Sequence, residues 1–320
     1  MISKNAILLI TKDANISKGN GATMSDSFNN NLFSVYKGIL LRYKGNVEVV
    51  RIPEGVTSIG EEAFAHSNVK SVYLPESVTR IERRAFYYCR QLKKVSFPES
   101  LEYIGWGAFD NCWLKSIDLP EKLTTLSGYA FYQNIALEKI TIPEGIKEID
   151  QSTFDSCVRL KEISFPRNLH TIGWDAFKGC SAITSIRLPD SVNVLEIGCF
   201  QNCRSLTDIY IPSSVERIGG GAFRGCRGLA DESGFAVIRD TLFNYEGNEK
   251  TVKIPDNVAC ISEDVFANHT EIESVILPAG LKKIDERAFF RCRNLKNINI
   301  TPNISEIADN AFYDCPNVVR

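Results

Sequence analysis

The 320-residue sequence lacks the features that mark several large functional classes. It has no apolar run near the roughly 18 residues of a membrane span. Its net charge of −2 gives no electrostatic case for binding nucleic acid or an anionic membrane. Phosphate-binding glycine loops, zinc-protease motifs and serine-hydrolase motifs are absent. We therefore expect a non-catalytic protein without a cofactor or metal.

Histidine is also scarce, with only His66, His170 and His269. They lie far apart in different positions of the repeat described below, so nothing pairs one of them with a nucleophile in a shared pocket. The alternative of a glycan hydrolase would need two carboxylates facing each other across a cleft. The smooth surface expected of a repeat protein argues against such a cleft.

What the sequence does contain is one unit in many copies. The copies read SVTRIERRAFYYCRQLKKVSFP from Ser77, SLEYIGWGAFDNCWLKSIDLP from Ser100 and SVERIGGGAFRGCRGL from Ser214. A phenylalanine marks each copy at steps of 22 or 23 residues, apart from one step of 43. The markers are Phe64, Phe86, Phe109, Phe131, Phe154, Phe177, Phe200, Phe223, Phe266, Phe289 and Phe312. A proline stands eleven residues before nearly every one of them. This period is typical of a leucine-rich repeat.

Each part of the unit has a structural interpretation. Val95 and Phe97 alternate with polar residues, which predicts a half-buried strand that Pro98 ends. Ile81, Ala85 and Cys89 follow at i, i+4 and i+8, which predicts about two turns of helix. The pattern therefore predicts a strand-rich α/β solenoid with a parallel sheet on one side and short helical turns on the other.

The Pro-x-x-Val-x-x-Ile and Ala-Phe-x-x-Cys halves of the unit resemble the BspA-like (Treponema pallidum type) leucine-rich repeats over roughly residues 33–320. The resemblance implies a right-handed horseshoe or superhelix whose parallel sheet is concave and whose helical turns are convex. It also implies a surface or secreted protein of adhesion or host interaction, with a host extracellular-matrix or surface protein as the partner.

We divide the chain into five segments. Residues 33–53 and 235–255 share nine of 21 positions, and both contain a two-residue break that predicts a β-hairpin. The segments are an N-terminal extension (1–31), a hairpin lead-in (32–52), an array of eight repeats (53–231), a second hairpin insertion (232–254) and an array of three repeats (255–320). In the extension, Ile7–Ile10 is a candidate edge strand. The apolar stretch Ala6–Ile10 is shorter than the 7–15 residues of a signal peptide core, so we expect none.

Eight of the ten cysteines occupy one position, three residues after the marker phenylalanine. Ser67, Asn134 and His269 replace cysteine there in other copies, which argues against obligatory disulfides. We interpret the eight as small buried free thiols. We expect Cys260 to face outward and to be the most reactive thiol. Cys199 and Cys203 are the only close pair, which is too few for a zinc site.

Candidate binding residues lie two positions before each proline, where the strand faces outward. The full set is Arg51, Tyr73, Ser96, Asp118, Thr141, Ser164, Arg187, Tyr210, Lys253, Ile276 and, in the last copy, Asn299. Solenoids bind partners on such sheet surfaces, and Tyr and Arg are typical anchors. Within this set we select Tyr73, Asp118, Arg187, Tyr210, Lys253 and Ile276 as partner-binding. The alternative is a merely solvated sheet, and Trp106 and Trp174 are candidates for a second contact site.

Two functions remain open. The first is a protein-binding solenoid at the cell surface or secreted, as the resemblance implies. The second is an intracellular, cytoplasmic protein-protein interaction scaffold, which the unpaired cysteines and the missing export signal favour. The sequence identifies neither the ligand nor the oligomeric state.

Overall fold

The structure is a computed structural model that describes residues 32–318. The N-terminal extension, with its candidate strand at Ile7–Ile10, lies outside these residues. The described chain is a strand-rich solenoid of stacked repeats, as the sequence predicts. Its helical content is the single 3-10 helix Arg227–Leu229, and nothing in the described range is a helix long and apolar enough to cross a membrane.

Each repeat contributes one strand just before its proline. These strands pair in parallel with the equivalent strand of the next repeat, for example Val72 with Val95. The pre-proline strands are β3 (Val49–Arg51), β5 (Ser71–Tyr73), β7 (Lys94–Ser96), β9 (Ser116–Ile117), β11 (Lys139–Thr141), β13 (Glu162–Ser164), β15 (Ser185–Arg187), β17 (Asp208–Tyr210), β21 (Thr251–Lys253), β23 (Ser274–Ile276) and β25 (Asn297–Ile298). Their ladder is divided into four segments, β3-β5-β7, β9-β11-β13, β15-β17 and β21-β23-β25.

A second parallel column, which the sequence interpretation missed, follows the proline. The apolar residue that turns the chain inward, such as Ile81, is itself part of a two-residue strand that pairs with its neighbours. These strands are β4 (Ser58–Ile59), β6 (Arg80–Ile81), β8 (Tyr103–Ile104), β10 (Thr125–Leu126), β12 (Glu148–Ile149), β14 (Thr171–Ile172), β16 (Val194–Leu195), β18 (Arg217–Ile218), β22 (Cys260–Ile261), β24 (Lys283–Ile284) and β26 (Glu306–Ile307).

The predicted helical turns are wrong, although the third side of each repeat does carry the Ala-Phe motif. This side is a run of turns in which Arg84 and Tyr88 adopt left-handed backbone angles, φ 53° and 56°. Left-handed residues interrupt the i→i−4 ladder of a helix. The N–H of Phe86 instead donates to the carbonyl of Ala108 in the next repeat, at 2.8 Å. The i, i+4 spacing therefore reflects inward-facing positions of a turn and not a helical face.

Two antiparallel hairpins each start a run of post-proline strands. The first consists of β1 (Phe33–Tyr36) and β2 (Ile39–Tyr43), and the second of β19 (Phe235–Ile238) and β20 (Thr241–Tyr245). Their second strands pair in parallel with β4 and β22. Lys37 and Gly38 both have positive φ, 48° and 77°, as a two-residue type I′ turn requires.

The core consists of two apolar clusters, one running from Phe33 to Phe243 and one from Phe235 to Phe312. The marker phenylalanines form its axis. Phe154 is fully buried and stacks between Phe131 and Phe177, with ring centroids 5.7 and 5.3 Å away and planes within 11°. The boundary between the clusters falls at the second hairpin. The division into two repeat arrays stays a prediction.

Candidate functional site

The pre-proline strands place the candidate binding residues on one outward face. In β15 and β17 the central residues Ile186 and Ile209 point into the stack, and the residues on either side of them point outward. Because the register is in phase, Arg187 lies directly beside Tyr210 on this face. We call this surface the pre-proline face and define it as the aligned positions two, four and five residues before each proline.

Two arginine–tyrosine pairs of the same construction lie on the pre-proline face. The Arg51 guanidinium carbon lies 4.2 Å from the ring centroid of Tyr73, its register partner in the next repeat. The Arg187 guanidinium lies 5.7 Å from the Tyr210 ring in the same way. Neither guanidinium forms an ion pair with any residue in the described part of the chain. A stacked guanidinium keeps its edge N–H groups free for an anionic acceptor.

A shallow depression of ≈ 350 Å³ adjoins the second pair. It is lined by Phe165, Arg187, Leu188, Pro189, Asp190 and Tyr210. The Tyr210 hydroxyl donates a hydrogen bond to Asp190 Oδ1 at 3.3 Å, which fixes the ring at the edge of the depression. Tyr210 nevertheless stays 46% exposed. The depression thus combines an apolar floor, one cation and one carboxylate.

The structure brings four of the six selected residues together in pairs. Arg187 is adjacent to Tyr210, and Lys253 is adjacent to Ile276, whose side chain is 44% exposed. Tyr73 has Arg51 as its neighbour, and Lys94 Nζ lies 5.9 Å from its ring. Asp118 is exposed just beyond the end of β9, away from the other five. Sequence reasoning missed Phe165 and Asp190, because a depression depends on side-chain heights that a repeat pattern does not encode.

The turn side carries a second group of aromatic residues. The Trp106 ring lies 4.8 Å from Tyr129, which lies 5.5 Å from Tyr132, and Trp106 is 38% exposed. Trp106 also lies over Gly128, where a Cβ atom would approach its Cζ3 to 2.7 Å. Trp174 is 53% exposed and donates from Nε1 to Glu196. Both tryptophans are thus half packed on the turn side, and their role as a second contact site stays a prediction.

Two carboxylates flank Tyr132 on the turn side, because Asp110 and Asp155 occupy the same position in the repeats before and after it. Burial raises the pKa of both carboxyl groups. For Asp155, a hydrogen bond from Ser156 and the charge of Lys178 oppose this increase. Burial and the charges of Asp155 and Asp110 also raise the pKa of Tyr132.

The cysteine positions have a structural function that explains the replacement by Asn134. All ten thiols are free. Cys180 Sγ donates to the carbonyl of Phe154, in the preceding repeat, at 3.1 Å. The seven other cysteines that lie three residues after a marker phenylalanine make the same contact. Asn134 makes it with Nδ2, at 2.8 Å from the Phe109 oxygen. Cysteine and asparagine thus fill the same role at this position. Ser67 and His269 make other contacts, with Cys89 Sγ at 3.3 Å and Glu271 Oε1 at 2.7 Å.

Cys260 faces outward less than expected, and its rank as the most reactive thiol stays a prediction. Its side chain is only partly exposed, and Sγ lies 3.8 Å from Asp285 Oδ2. Burial and the negative charge of Asp285 raise the pKa of Cys260 to about 12. The thiolate is the reactive form, so this environment suppresses reactivity at neutral pH. Within residues 32–318, no three His, Cys, Asp or Glu side chains are grouped closely enough to hold a metal ion.

The family model of the BspA type leucine rich repeat region matches residues 41–138, 125–233 and 236–320. The chain belongs to the BspA-type leucine-rich repeat family. Comparison with curated proteins gave no match.

Two solved leucine-rich repeat structures are similar over nearly the whole chain. A leucine-rich repeat protein from Bacteroides ovatus is 26% identical, with a TM-score of 0.59 over 96% of this chain and 82% of the other. A leucine rich cell surface protein from Faecalibacterium prausnitzii is 24% identical, with a TM-score of 0.55 over 95% of this chain and 88% of the other. The second likeness concerns the fold alone. Membership of the BspA-type family is consistent with a protein-interaction role.

Proposed function

We propose that this BspA-type chain is a non-catalytic protein-binding solenoid that acts through the pre-proline face. The observation that supports this most directly is the exposed Arg187–Tyr210 pair beside an apolar-floored depression. Arg and Tyr are enriched among the residues that dominate interface energies, especially where an apolar pocket lies beside them. The Arg51–Tyr73 pair repeats the arrangement near the other end of the first array.

We further propose that the protein is secreted or displayed at the cell surface and takes part in adhesion or host interaction. The family resemblance supports this, and one structure of the same fold is described as a cell surface protein. Brief protease treatment of intact source cells, followed by detection of this chain's peptides, tests the location. Release of peptides from the repeats is expected, and protection until lysis would contradict surface display.

Binding is tested on immobilised extracellular-matrix and host-surface proteins with Tyr73→Ala, Arg187→Ala and Tyr210→Ala. Tyr313→Ala is the matched control, because it removes an exposed tyrosine side chain from the turn side, outside both candidate contact sites. Loss of an anchor of this kind raises the Kd by about tenfold or more. If all three variants bound like the wild type to a partner that the wild type does bind, the pre-proline face would not be the binding surface.

An intracellular interaction scaffold is the second candidate, favoured by the ten free thiols. Cytosolic proteins keep their cysteines reduced, whereas secreted proteins commonly oxidise them. Protection of the chain in the shaving experiment, together with recovery of cytoplasmic partners by pull-down, would select this candidate.

A further inference from the structure

Basic and acidic residues are distributed unequally between the faces of the solenoid. The chain has a net charge of −2, whereas the pre-proline face carries eleven basic and six acidic residues. The basic residues are Arg51, Lys70, Lys93, Lys94, Lys115, Lys139, Lys161, Arg187, Lys250, Lys253 and Lys296. The acidic residues are Glu48, Asp118, Glu138, Glu162, Asp208 and Glu273. This face is therefore positive in a chain that is negative as a whole.

Half of these acidic residues are already neutralised by neighbours on the face. Ion pairs join Lys70 to Glu48 at 2.6 Å, Lys139 to Glu162 at 2.9 Å and Lys250 to Glu273 at 2.9 Å. The cations that form no ion pair within the described residues are Arg51, Lys93, Lys94, Lys115, Lys161, Arg187 and Lys253. An approaching ligand therefore meets mainly unpaired cations, which favours a negatively charged partner.

The residue directly after the proline is acidic in seven repeats, whereas Arg167 is basic there and Ser213 and Ala279 are uncharged. Five successive repeats place an exposed glutamate there, and Asp190 and Asp256 occupy the same position later. The five are Glu54, Glu76, Glu99, Glu121 and Glu144. The bend beside the pre-proline face thus forms an acidic border. An acidic ligand is attracted to the face and repelled by the border, which confines it along the strands' outward surface.

We propose that the pre-proline face binds an extended acidic polypeptide, whose carboxylates are received by the guanidinium groups of Arg51 and Arg187. This inference rests on the proposed function and names the chemistry of its partner. A guanidinium stacked on tyrosine presents two parallel N–H donors that match one carboxylate. Next to Arg187, the depression floored by Phe165 and Leu188 receives an apolar side chain of the same polypeptide.

The separation of the two arginines fits a single peptide segment. They stand six repeats apart, which corresponds to roughly 29 Å at a strand spacing of about 4.8 Å. An extended chain covers this distance with about nine residues. A polypeptide is favoured over a sulfated glycan because it also carries apolar side chains, for which the depression beside Arg187 has room.

Fluorescence anisotropy of labelled poly-L-glutamate, titrated with the full-length protein in 50 mM salt, tests the proposal. The test variant is Arg51→Ala with Arg187→Ala. The matched control is Lys139→Ala with Lys250→Ala, which removes the same charge from the same face at cations that already have partners. Each exposed arginine pair contributes up to about fivefold in Kd, so the arginine variant should bind up to about 25-fold more weakly, and clearly more weakly than the control. The control should stay within about twofold of the wild type.

Three results would overturn the proposal. Poly-L-glutamate fails to bind, or both double variants lose the same affinity, or heparin binds more tightly with the same dependence on the two arginines. The last result would assign the face to a sulfated glycan. If poly-L-glutamate does not bind while a matrix protein still binds in a Tyr210-dependent manner, the acidic-partner inference fails and the proposed function survives. Loss of both binding activities in the wild type contradicts both. Unchanged circular dichroism shows that each variant is folded.

Discussion

Replacement of Phe154 by alanine tests the central physical claim, that the stacked phenylalanines hold the repeats together. The ring is fully buried and has a parallel ring on each side. Phe→Ala substitutions in well-packed cores cost about 3–5 kcal/mol. Each aromatic pair adds about 0.5–1.5 kcal/mol beyond the area that it buries, so two pairs place this site near the upper end. We expect a loss of about 4–5 kcal/mol in the free energy of unfolding.

Phe97 is the matched control outside the stacked column. It is only partly buried, and its ring meets the Phe109 ring edge-on, with the centroids 5.6 Å apart. Phe97→Ala removes the same atoms from a less buried position, so it should cost clearly less than Phe154→Ala.

Urea unfolding followed by circular dichroism and tryptophan fluorescence measures both variants. Trp174 lies in the repeat directly after Phe154 and reports on that interface, whereas Trp106 and Trp113 report on an earlier repeat. Repeat arrays can unfold in parts, so non-coincident probes are themselves informative. Our reasoning is refuted if Phe154→Ala leaves the midpoint unchanged, or if Phe97→Ala is as destabilising.

Three further predictions concern individual positions. Asn134→Leu should destabilise the protein by about 1–3 kcal/mol, because it removes the donor to the Phe109 oxygen and leaves buried polar groups without a partner, whereas Asn134→Cys should be better tolerated in the same urea assay. Asp155→Asn should stabilise the protein at pH 7, because the raised pKa of the Asp155 carboxyl means that folding favours its protonated form. The protonated carboxyl stabilises the fold fully below the ordinary Asp pKa of about 3.9, and this contribution is lost as the pH rises through the folded-state pKa. The advantage of Asp155→Asn should therefore disappear in melts at low pH, and equal melting temperatures at pH 7 would contradict it. A thiol reagent at pH 8 should label the native protein slowly, Cys260 included, and should label all ten cysteines after denaturation. Rapid labelling of several thiols in the native protein would contradict the burial of the cysteines.

The repeat architecture could be predicted because its information is periodic. Eleven copies with one proline and one phenylalanine each determine the register of the pre-proline strands, and hence which residues face outward. The turn side could not be read in the same way. An i, i+4 spacing such as Ala85 to Cys89 fits both a helix and a turn with left-handed residues at Arg84 and Tyr88. The turn forms because backbone hydrogen bonds link neighbouring repeats on this side. These bonds do not affect the periodicity of the side chains, so the sequence pattern does not reveal them.

In the candidate site, too, the sequence predicts what depends on strand register and does not predict what depends on side-chain contacts. The neighbour relation of Arg187 and Tyr210 follows from register alone, and was accessible from the sequence. The depression beside them depends on Phe165, two repeats away from Tyr210, and on the hydrogen bond that holds Tyr210 against Asp190. The cysteine position shows the converse case. Sequence reasoning found the buried thiols, but only the contact with the preceding carbonyl explains why asparagine can replace them.

Besides the stacked phenylalanines, backbone hydrogen bonds join all three sides of each repeat to the next repeat, and this arrangement has a mechanical consequence. The bonds run along the axis of the stack, so tension that peels one repeat away must break one set of bonds before it reaches the next. Force is then absorbed in successive small events of similar size. Each released repeat of 22 or 23 residues adds about 75 Å of slack. A tether built this way lengthens stepwise under load while its remaining repeats keep their shape.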